Sequence, residues 1–170
     1  AHLVCINRRE GARVQVKGVF DLNEARLEFA RNNGLVAYES REALLSDPEI
    51  DIVLVAATND VHAEISIDAL RHGKHVICEK PIAVNLREAE EMFRCAEENG
   101  CFLMEAMWAR LVPGTIRLIE MINSGIIGEI KGVEGKFCYA FDEDEMDHHA
   151  LKPENGGGSL LDVGVYGLNF

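Results

Sequence analysis

Polar and apolar residues alternate with distinct periods in the first part of the chain, and these periods predict strands. Residues 14–20 (VQVKGVF) are apolar at every other position, as in a half-buried strand. Residues 50–57 (IDIVLVAA) form a nearly continuous β-branched run, typical of a strand buried on both faces of a parallel sheet. Two shorter apolar runs, at residues 75–78 and 101–104, predict further strands.

Amphipathic segments follow the first three of these predicted strands, and each segment ends at a glycine. We predict helices that end near residues 33, 72 and 99, because Gly34, Gly73 and Gly100 are stop signals. Strands that alternate with helices of about 10 to 14 residues build βαβ units and a parallel sheet. Ligands of such sheets bind beyond the carboxyl ends of the strands. The loops at these ends contain Asp21, Thr58-Asn59 and Glu79-Lys80-Pro81.

The pattern changes after Met104. Residues 112–124 predict a helix, and residues 129–141 (EIKGVEGKFCYAF) alternate in the manner of an antiparallel strand. A polar loop and a triple glycine at residues 156–158 follow, and an apolar helix begins near Ser159. These segments predict the start of a second domain of α+β type with a mainly antiparallel sheet.

The chain lacks the usual opening of a dinucleotide-binding domain, which is a strand followed by G-x-G-x-x-G. Residues 1–9 (AHLVCINRR) fit the tail of a first helix better than a first strand. In the common strand order, the first strand lies between the strands predicted at 14–20 and 50–57, so its absence leaves two apolar edges unpaired. We therefore expect residues before Ala1 that carry the first strand and the glycine loop.

Composition and charge narrow the class of protein. The 170 residues are 48% hydrophobic, which suits one domain and part of another, and we expect the domains at 1–104 and 105–170. The net charge of −12 and the lack of basic clusters argue against nucleic-acid binding. No apolar run reaches about 18 residues, so we expect no membrane span, and we see no signal peptide. Five cysteines without a CxxC pair fit reduced thiols in the cytoplasm.

Motifs along nearly the whole chain are shared with one known family. They are Asp21, ATNDVHAE at 57–64, GKHVICEKPIAVNLREAEEM at 73–92, FLMEAMWARLVPG at 102–114, GEIKGV at 128–133 and GGGSLLDVGVYGLNF at 156–170. On these residues the chain resembles the Gfo/Idh/MocA family of nicotinamide-dependent oxidoreductases, with a Rossmann-type first domain. MEAMWAR and Tyr166 most resemble its dihydrodiol dehydrogenase, glucose–fructose oxidoreductase and xylose dehydrogenase branch.

The resemblance implies that Lys80, Asp162 and Tyr166 are the catalytic residues. A lysine fixed at a strand's carboxyl end stabilises a developing alkoxide. Asp162 and Tyr166 are four residues apart, hence on one face of the predicted helix. Beside Lys80, Tyr166 would take the substrate's hydroxyl proton while hydride leaves for nicotinamide, and Asp162 would orient the substrate or the lysine. The residues alone equally allow Tyr166 to be a core aromatic with a satisfied hydroxyl.

The cofactor-binding residues that the resemblance implies are Asp21, Ala57, Thr58, Asn59, His62, Glu79, Lys80 and Pro81. Asp21 would accept hydrogen bonds from the adenosine ribose, and helix N-cap is its compatible alternative. An acidic residue there favours NAD over NADP, although Arg26, one turn on, leaves NADP open.

The other implied cofactor contacts lie at the ends of two predicted strands. The family's usual Thr-Pro-Asn is Ala57-Thr58-Asn59 here, so Asn59 is the retained contact. His62 begins a helix, where a lone histidine is more often structural. Glu79 would hold a ribose or orient Lys80, and a cis bond before Pro81 would point the lysine inward.

Trp108 and Arg110 complete the expected substrate site together with Asp162 and Tyr166. They follow the last parallel strand at the domain junction, where pockets are common, although Trp108 suits a core equally well. His148 and His149 could border the substrate, but no spacing marks a metal site, and the acidic run at 142–145 fits a solvated loop.

We therefore expect a cytoplasmic oxidoreductase that uses NAD, or NADP, without a metal. Its small-molecule substrate would be a sugar, polyol or cyclic diol whose secondary alcohol or carbonyl exchanges hydride with the cofactor. The resemblance implies a homodimer or higher homo-oligomer. The alternative is a sensor or scaffold that binds the dinucleotide without catalysis.

Overall fold

The computed structural model describes residues 14–169, which divide between two compact units, one up to residue 51 and one from residue 52. Residues 1–9, predicted as the tail of a helix, lie outside the described residues. No helix in the described part of the chain has the length and apolar character needed to cross a bilayer.

The first unit contains a parallel pair of short strands joined through a helix. Strand β1 (Gly18–Val19) pairs with β2 (Val36–Ala37), and helix α1 (Glu24–Asn32) lies between them in the chain. Gly34 has a φ of 75°, the left-handed conformation that a glycine stop signal adopts after a helix. The strand predicted at 14–20 is thus present but covers two residues.

Two elements of this unit were not predicted from the sequence. Strand β2 has two residues, and helix α2 (Arg41–Leu45) has five, so neither is long enough to show a period. The local signal that α2 does carry is its cap, because the Ser40 side chain accepts a 3.0 Å hydrogen bond from the backbone N–H of Ala43.

The second unit begins with a three-stranded parallel sheet in the order β3-β4-β5. Its strands are β3 (Ile52–Val55), β4 (His75–Cys78) and β5 (Leu103–Glu105), and helices α3 (His62–Arg71) and α4 (Leu86–Glu98) connect them. The register pairs Val55 with Cys78 and Cys78 with Glu105, so the carboxyl ends of all three strands meet at one edge. The predicted strand and helix alternation is therefore confirmed here.

One face of this sheet is buried and the other is not. Val76 and Cys78 have no exposed surface, and Leu70 of α3, which contacts β4, is equally buried. Ile52 and Leu54 point to the opposite face and are exposed. The prediction that β3 is buried on both faces is wrong within the described residues, because α3 and α4 cover the same side.

Beyond β5 the described chain consists of short helices and irregular segments. They are a 3₁₀ turn at Trp108–Leu111, helix α5 (Pro113–Asn123), 3₁₀ turns at Glu143–Glu145, His149–Leu151 and Pro153–Asn155, and a π-helical turn at Leu160–Gly164 that continues as α6 (Val165–Gly167). The helices predicted at 112–124 and from about 159 are thus present.

The antiparallel strand predicted at residues 129–141 is absent from the described structure. No residue of this segment pairs with another strand, and nearly all its side chains are exposed. A strand needs a neighbour that exchanges backbone hydrogen bonds with it, and the described residues beyond β5 offer none. The mainly antiparallel sheet is therefore not confirmed, and the domain division near residue 104 stays a prediction.

Candidate active site

Lys80 leaves the sheet at the carboxyl end of β4. The backbone holds this end from both sides, since Glu79 N donates to Val55 O at 2.9 Å and Ala106 N donates to Cys78 O at 2.7 Å. The Lys80–Pro81 peptide bond is cis, as the resemblance implies. Lys80 thus directly follows the central one of the three strands, which has a hydrogen-bonded neighbour on each side.

The ammonium group of Lys80 binds Asp162 through two acceptors. Its Nζ lies 2.6 Å from the main-chain oxygen and 2.9 Å from Oδ1 of Asp162. The two side chains are 18% and 27% exposed, so the ion pair is partly shielded from water. Two of the three N–H groups are used in these bonds, and the third has no acceptor among the described residues.

Tyr166 lies beside this ion pair and inside a group of aromatic rings. Lys80 Nζ is 5.2 Å from the centre of the Tyr166 ring, within the range of a cation–π contact. Trp108 Nε1 donates a 3.0 Å hydrogen bond to the Tyr166 hydroxyl, and the two rings meet edge to face. Phe137 stacks on the Tyr166 ring with centroids 5.0 Å apart. Among the described residues, the hydroxyl has no acceptor for its own proton.

Two further residues hold the turn after Lys80. The ring nitrogens of His62 lie 2.8 Å from Pro81 O and 3.1 Å from Ala57 O, and the side chain is buried. Glu105 Oε1 accepts a 2.9 Å hydrogen bond from Ile82 N. Any effect of His62 on a cofactor would therefore act through the backbone it binds at the ends of β3 and β4.

The remaining predicted cofactor residues of this unit lie at the same sheet edge. Ala57 is exposed and Thr58 half-buried, and no side-chain cap from Thr58 joins the turn that follows. Asn59 is buried and donates from Nδ2 to Gly156 O at 2.9 Å. The half-buried Glu79 keeps Oε2 3.3 Å from Lys80 N.

Asp21 belongs to the first unit, just past the end of β1. Its Oδ1 accepts from Asn23 N at 2.8 Å, and its Oδ2 accepts from Arg26 at 3.0 Å. The N-cap alternative for Asp21 is wrong, because the side chain that accepts from the first turn of α1, at Ala25 N, is that of Asn23. The carboxylate is thus already paired with the arginine that was considered for NADP.

The loop before the triple glycine brings two histidines near the Lys80–Asp162 pair. The rings of His148 and His149 are 4.1 Å apart. Burial lowers the pKa of His149, His148 and Lys80 lower it further, and Asp162 opposes them. His149 is therefore neutral at pH 7. No group of three His, Cys, Asp or Glu side chains in the part of the chain that the structure describes could hold a metal ion.

The structure also locates the predicted substrate residues and adds one. Trp108 is exposed, which contradicts the core alternative, and Arg110 donates from Nε to Asn169 Oδ1. Phe137 was not predicted as a site residue, because it lies in the segment predicted as a strand. Its only signal was an aromatic residue in the second half of the chain, which is too weak to identify a contact with Tyr166.

Comparison with known proteins gives consistent matches over both parts of the chain. A family model described as the GFO_IDH_MocA oxidoreductase family with an NAD-binding Rossmann fold matches residues 2–107. A model of the GFO/IDH/MocA C-terminal domain matches residues 115–170. The trans-1,2-dihydrobenzene-1,2-diol dehydrogenases of Xenopus tropicalis and Mus musculus are 36% and 37% identical over 88% of this chain. The chain spans 44% of the length of each of these relatives.

Solved structures agree with these sequence matches. An NAD-binding protein from Listeria innocua superposes with a TM-score of 0.78 and 32% identity, over 98% of this chain and 48% of that one. A 3-ketoreductase from Actinomadura kijaniata in complex with NADP and TDP-benzene gives 0.77 and 30%, over 96% and 50%. Levoglucosan dehydrogenase in complex with NADH and levoglucosan gives 0.62 and 33%, over 68% and 32%. These matches confirm the predicted Rossmann-type fold, and the family model that matches residues 2–107 is that of an NAD-binding domain.

Proposed function

The chain belongs to the Gfo/Idh/MocA family of oxidoreductases, and we propose that Lys80, Asp162 and Tyr166 are its catalytic residues. The reaction would transfer hydride between a nicotinamide cofactor and a secondary alcohol or carbonyl of a sugar, polyol or cyclic diol. The single observation that carries this proposal is that the Lys80 ammonium meets a carboxylate 82 positions away in the chain and, beside it, the ring of Tyr166.

The residues at the sheet edge fit a dinucleotide. The exposed Ala57 and the half-buried Thr58 and Glu79 lie beyond the carboxyl ends of β3 and β4, where parallel sheets bind such ligands. When bound, the nicotinamide supplies the hydride acceptor or donor. Asp21, Ala57, Thr58, Asn59, His62, Glu79, Lys80 and Pro81 are the proposed cofactor residues, with His62 acting through the backbone that it binds.

Proton transfer would be the task of Tyr166. Its hydroxyl proton has no acceptor in the described residues, so the group is available to a substrate oxygen. Lys80 Nζ lies 5.2 Å from the centre of the ring, where its positive charge would stabilise a developing alkoxide on the substrate. Asp162 fixes the ammonium group by two bonds and so keeps its third N–H directed away from the pair.

The walls of the site favour a ring-shaped substrate. Trp108 and Phe137 flank Tyr166, and aromatic rings pack against the apolar faces of sugars and cyclic diols. Arg110 would bind outlying hydroxyls, and the neutral His149 would accept a hydrogen bond. The dihydrodiol and levoglucosan substrates named for two relatives are both cyclic, which agrees with this class.

We propose NAD as the preferred cofactor. Asp21 can exchange its bond with Arg26 for the ribose hydroxyls, whereas a 2′-phosphate would meet the carboxylate first. The free thiols of Cys78, Cys95 and Cys101 accord with a reducing cytoplasm. We also propose a homodimer or higher homo-oligomer, which light scattering of the full-length protein would test.

The test is the Tyr166→Phe variant of the full-length protein, assayed with a panel of sugars, polyols and trans-diols and with both cofactors. We expect wild-type turnover with at least one cyclic substrate and a loss of about 10²- to 10⁴-fold in kcat for the variant. Dinucleotide binding, followed by fluorescence, should be unchanged. Turnover near the wild-type level would refute the role of Tyr166. Tight cofactor binding by the wild type without hydride transfer to any substrate would favour the sensor.

A further inference from the structure

Asn59 makes a contact that a cofactor role alone does not explain. The side chain is only 9% exposed, and Nδ2 donates a 2.9 Å hydrogen bond to the main-chain oxygen of Gly156, which is 97 positions away. A buried amide without a partner costs about 1–3 kcal/mol, so this bond is strongly favoured once the two segments meet. The end of β3 is therefore joined to the loop that carries the triple glycine.

The glycine at position 156 is required by two independent features. Its φ of 69° is left-handed, a conformation that is costly for a residue with a side chain. A Cβ at this position would lie 2.6 Å from Val84 Cγ1 and 2.8 Å from Asn59 Cβ. The backbone of this loop thus packs directly against Asn59, at a distance that no other residue type allows.

The neighbouring glycine lets the loop close on itself. A Cβ on Gly157 would lie 2.7 Å from the main-chain oxygens of both Ala150 and Lys152. The backbone N–H groups use this proximity, because Gly157 N donates to Lys152 O and Gly158 N donates to Ala150 O. The segment from 150 to 158 is consequently a compact unit rather than a loose connection, so a displacement at Gly156 moves the whole segment.

This segment leads directly into the helix that carries the proposed catalytic residues. Asp162 N donates to Gly158 O at 2.9 Å, which continues the hydrogen bonding from the triple glycine into the π-helical turn. Three hydrogen bonds therefore tie this part of the chain to the sheet edge. One runs from Asn59 beyond the end of β3, and two run from Lys80 beyond the end of β4.

We propose that Asn59 is a positioning residue that sets the place of Asp162 and Tyr166 relative to Lys80 through its bond to Gly156. This inference rests on the proposed function of those three residues. Nδ2 uses one of its two N–H groups in the bond to Gly156. In this proposal the side chain contacts a dinucleotide only through Oδ1, an acceptor that Asn59→Asp keeps. A displacement of about 1 Å at a reacting group can cost about 10²-fold in rate. Loss of the Asn59–Gly156 bond should therefore lower kcat much more than it weakens cofactor binding.

The primary variant is Asn59→Asp in the full-length protein, because it keeps the size of the side chain and removes the donor. We expect kcat to fall by about 10- to 100-fold and the dinucleotide Kd, measured by fluorescence, to stay within about twofold of wild type. Asn32→Asp is the matched control, since Asn32 is exposed near the end of α1, and it should leave both constants unchanged. An equal loss in Kd and kcat/KM with kcat unaltered would instead limit Asn59 to cofactor binding and overturn its positioning role.

A second variant tests the same bond from the other side. Gly156→Ala adds the Cβ that meets Asn59 and should reproduce the loss in kcat. Because both changes act on one contact, the double variant should lose little more than either single one. Full additivity of the two effects would contradict the coupling.

Hydrogen exchange supplies a readout that needs no turnover. Amides of residues 157–162 should exchange at least about tenfold faster in Asn59→Asp, whereas Tyr166→Phe should keep the wild-type pattern because it leaves the bond intact. Wild-type exchange in Asn59→Asp overturns the positioning role. Absence of turnover in the wild type would refute the proposed function. The exchange measurement would then test the coupling between Asn59 and Gly156 by itself.

Discussion

The ion pair between Lys80 and Asp162 gives a prediction whose size can be worked out from the structure. At 2.9 Å and an effective dielectric constant of about 20, the gross attraction of two unit charges is on the order of 6 kcal/mol. Both groups lose part of their hydration on burial, and this loss offsets much of the attraction. A net coupling of about 1.5–3 kcal/mol remains, which is typical of hydrogen bonds to charged groups.

The assay is a double-mutant cycle in the free energy of unfolding by urea at pH 7, with Lys80→Met, Asp162→Asn and the double variant. Lys80→Met should cost the most, because it leaves a carboxylate that is 27% exposed without its cation. Asp162→Asn should cost less, since the main-chain oxygen of residue 162 still accepts from the ammonium at 2.6 Å. The coupling energy should fall in the range of about 1.5–3 kcal/mol.

An exposed pair of similar geometry is the control. Arg94 and Glu98 are 3.0 Å apart on helix α4, but their side chains are 61% and 58% exposed. Water screens such a pair, so its cycle should give about 0.3–0.5 kcal/mol. If the Lys80–Asp162 cycle gave no more than this control, the partial burial of the pair would not strengthen it, and the electrostatic reasoning would fail.

Two further predictions concern groups outside the proposed catalytic centre. Burial raises the pKa of the Cys78 thiol to about 12, so iodoacetamide at pH 8 should label the exposed Cys138 at once and Cys78 only after unfolding, as read by mass spectrometry. Burial, helped by the hydrogen bond to Asp47, raises the pKa of Tyr38 from 10.0 to about 12. The hydroxyl thus stabilises the fold below pH 10 and loses this effect as pH rises through 12, so Tyr38→Phe should lower the unfolding free energy by about 1 kcal/mol at pH 7 and progressively less above pH 10. A constant difference up to pH 12 would contradict this.

The parallel sheet was predictable because its signals are local. The apolar runs at β3 and β4 and the glycines that end the helices each lie within a few residues of the element that they define. The same holds for Lys80, since a charged residue directly after a buried strand marks the ligand-binding edge of such a sheet. The family resemblance added Asp162 and Tyr166, and the comparisons confirmed the family.

The features that the sequence did not predict correctly share a physical cause, because each depends on residues far away in the chain. Alternation at 129–141 describes a strand only if a neighbour pairs with it, and the described residues contain none. The burial of each face of β3 depends on which face of the sheet α3 and α4 cover. The contact of Asn59 with Gly156 joins two segments that carry no mutual signal in a single sequence. Triple glycine can be recognised as a motif, but its close packing against a side chain needs coordinates.

The span of the Lys80–Asp162 bond has a consequence for the order of events during synthesis. Strands β3 to β5 are complete in sequence by Glu105, whereas Asp162 is translated later, by several seconds at about 5–20 residues per second. Lys80 therefore stands at the rim of a sheet that can already form while its counter-ion has yet to be made. The strands of this sheet are therefore synthesised before the residues proposed for proton transfer.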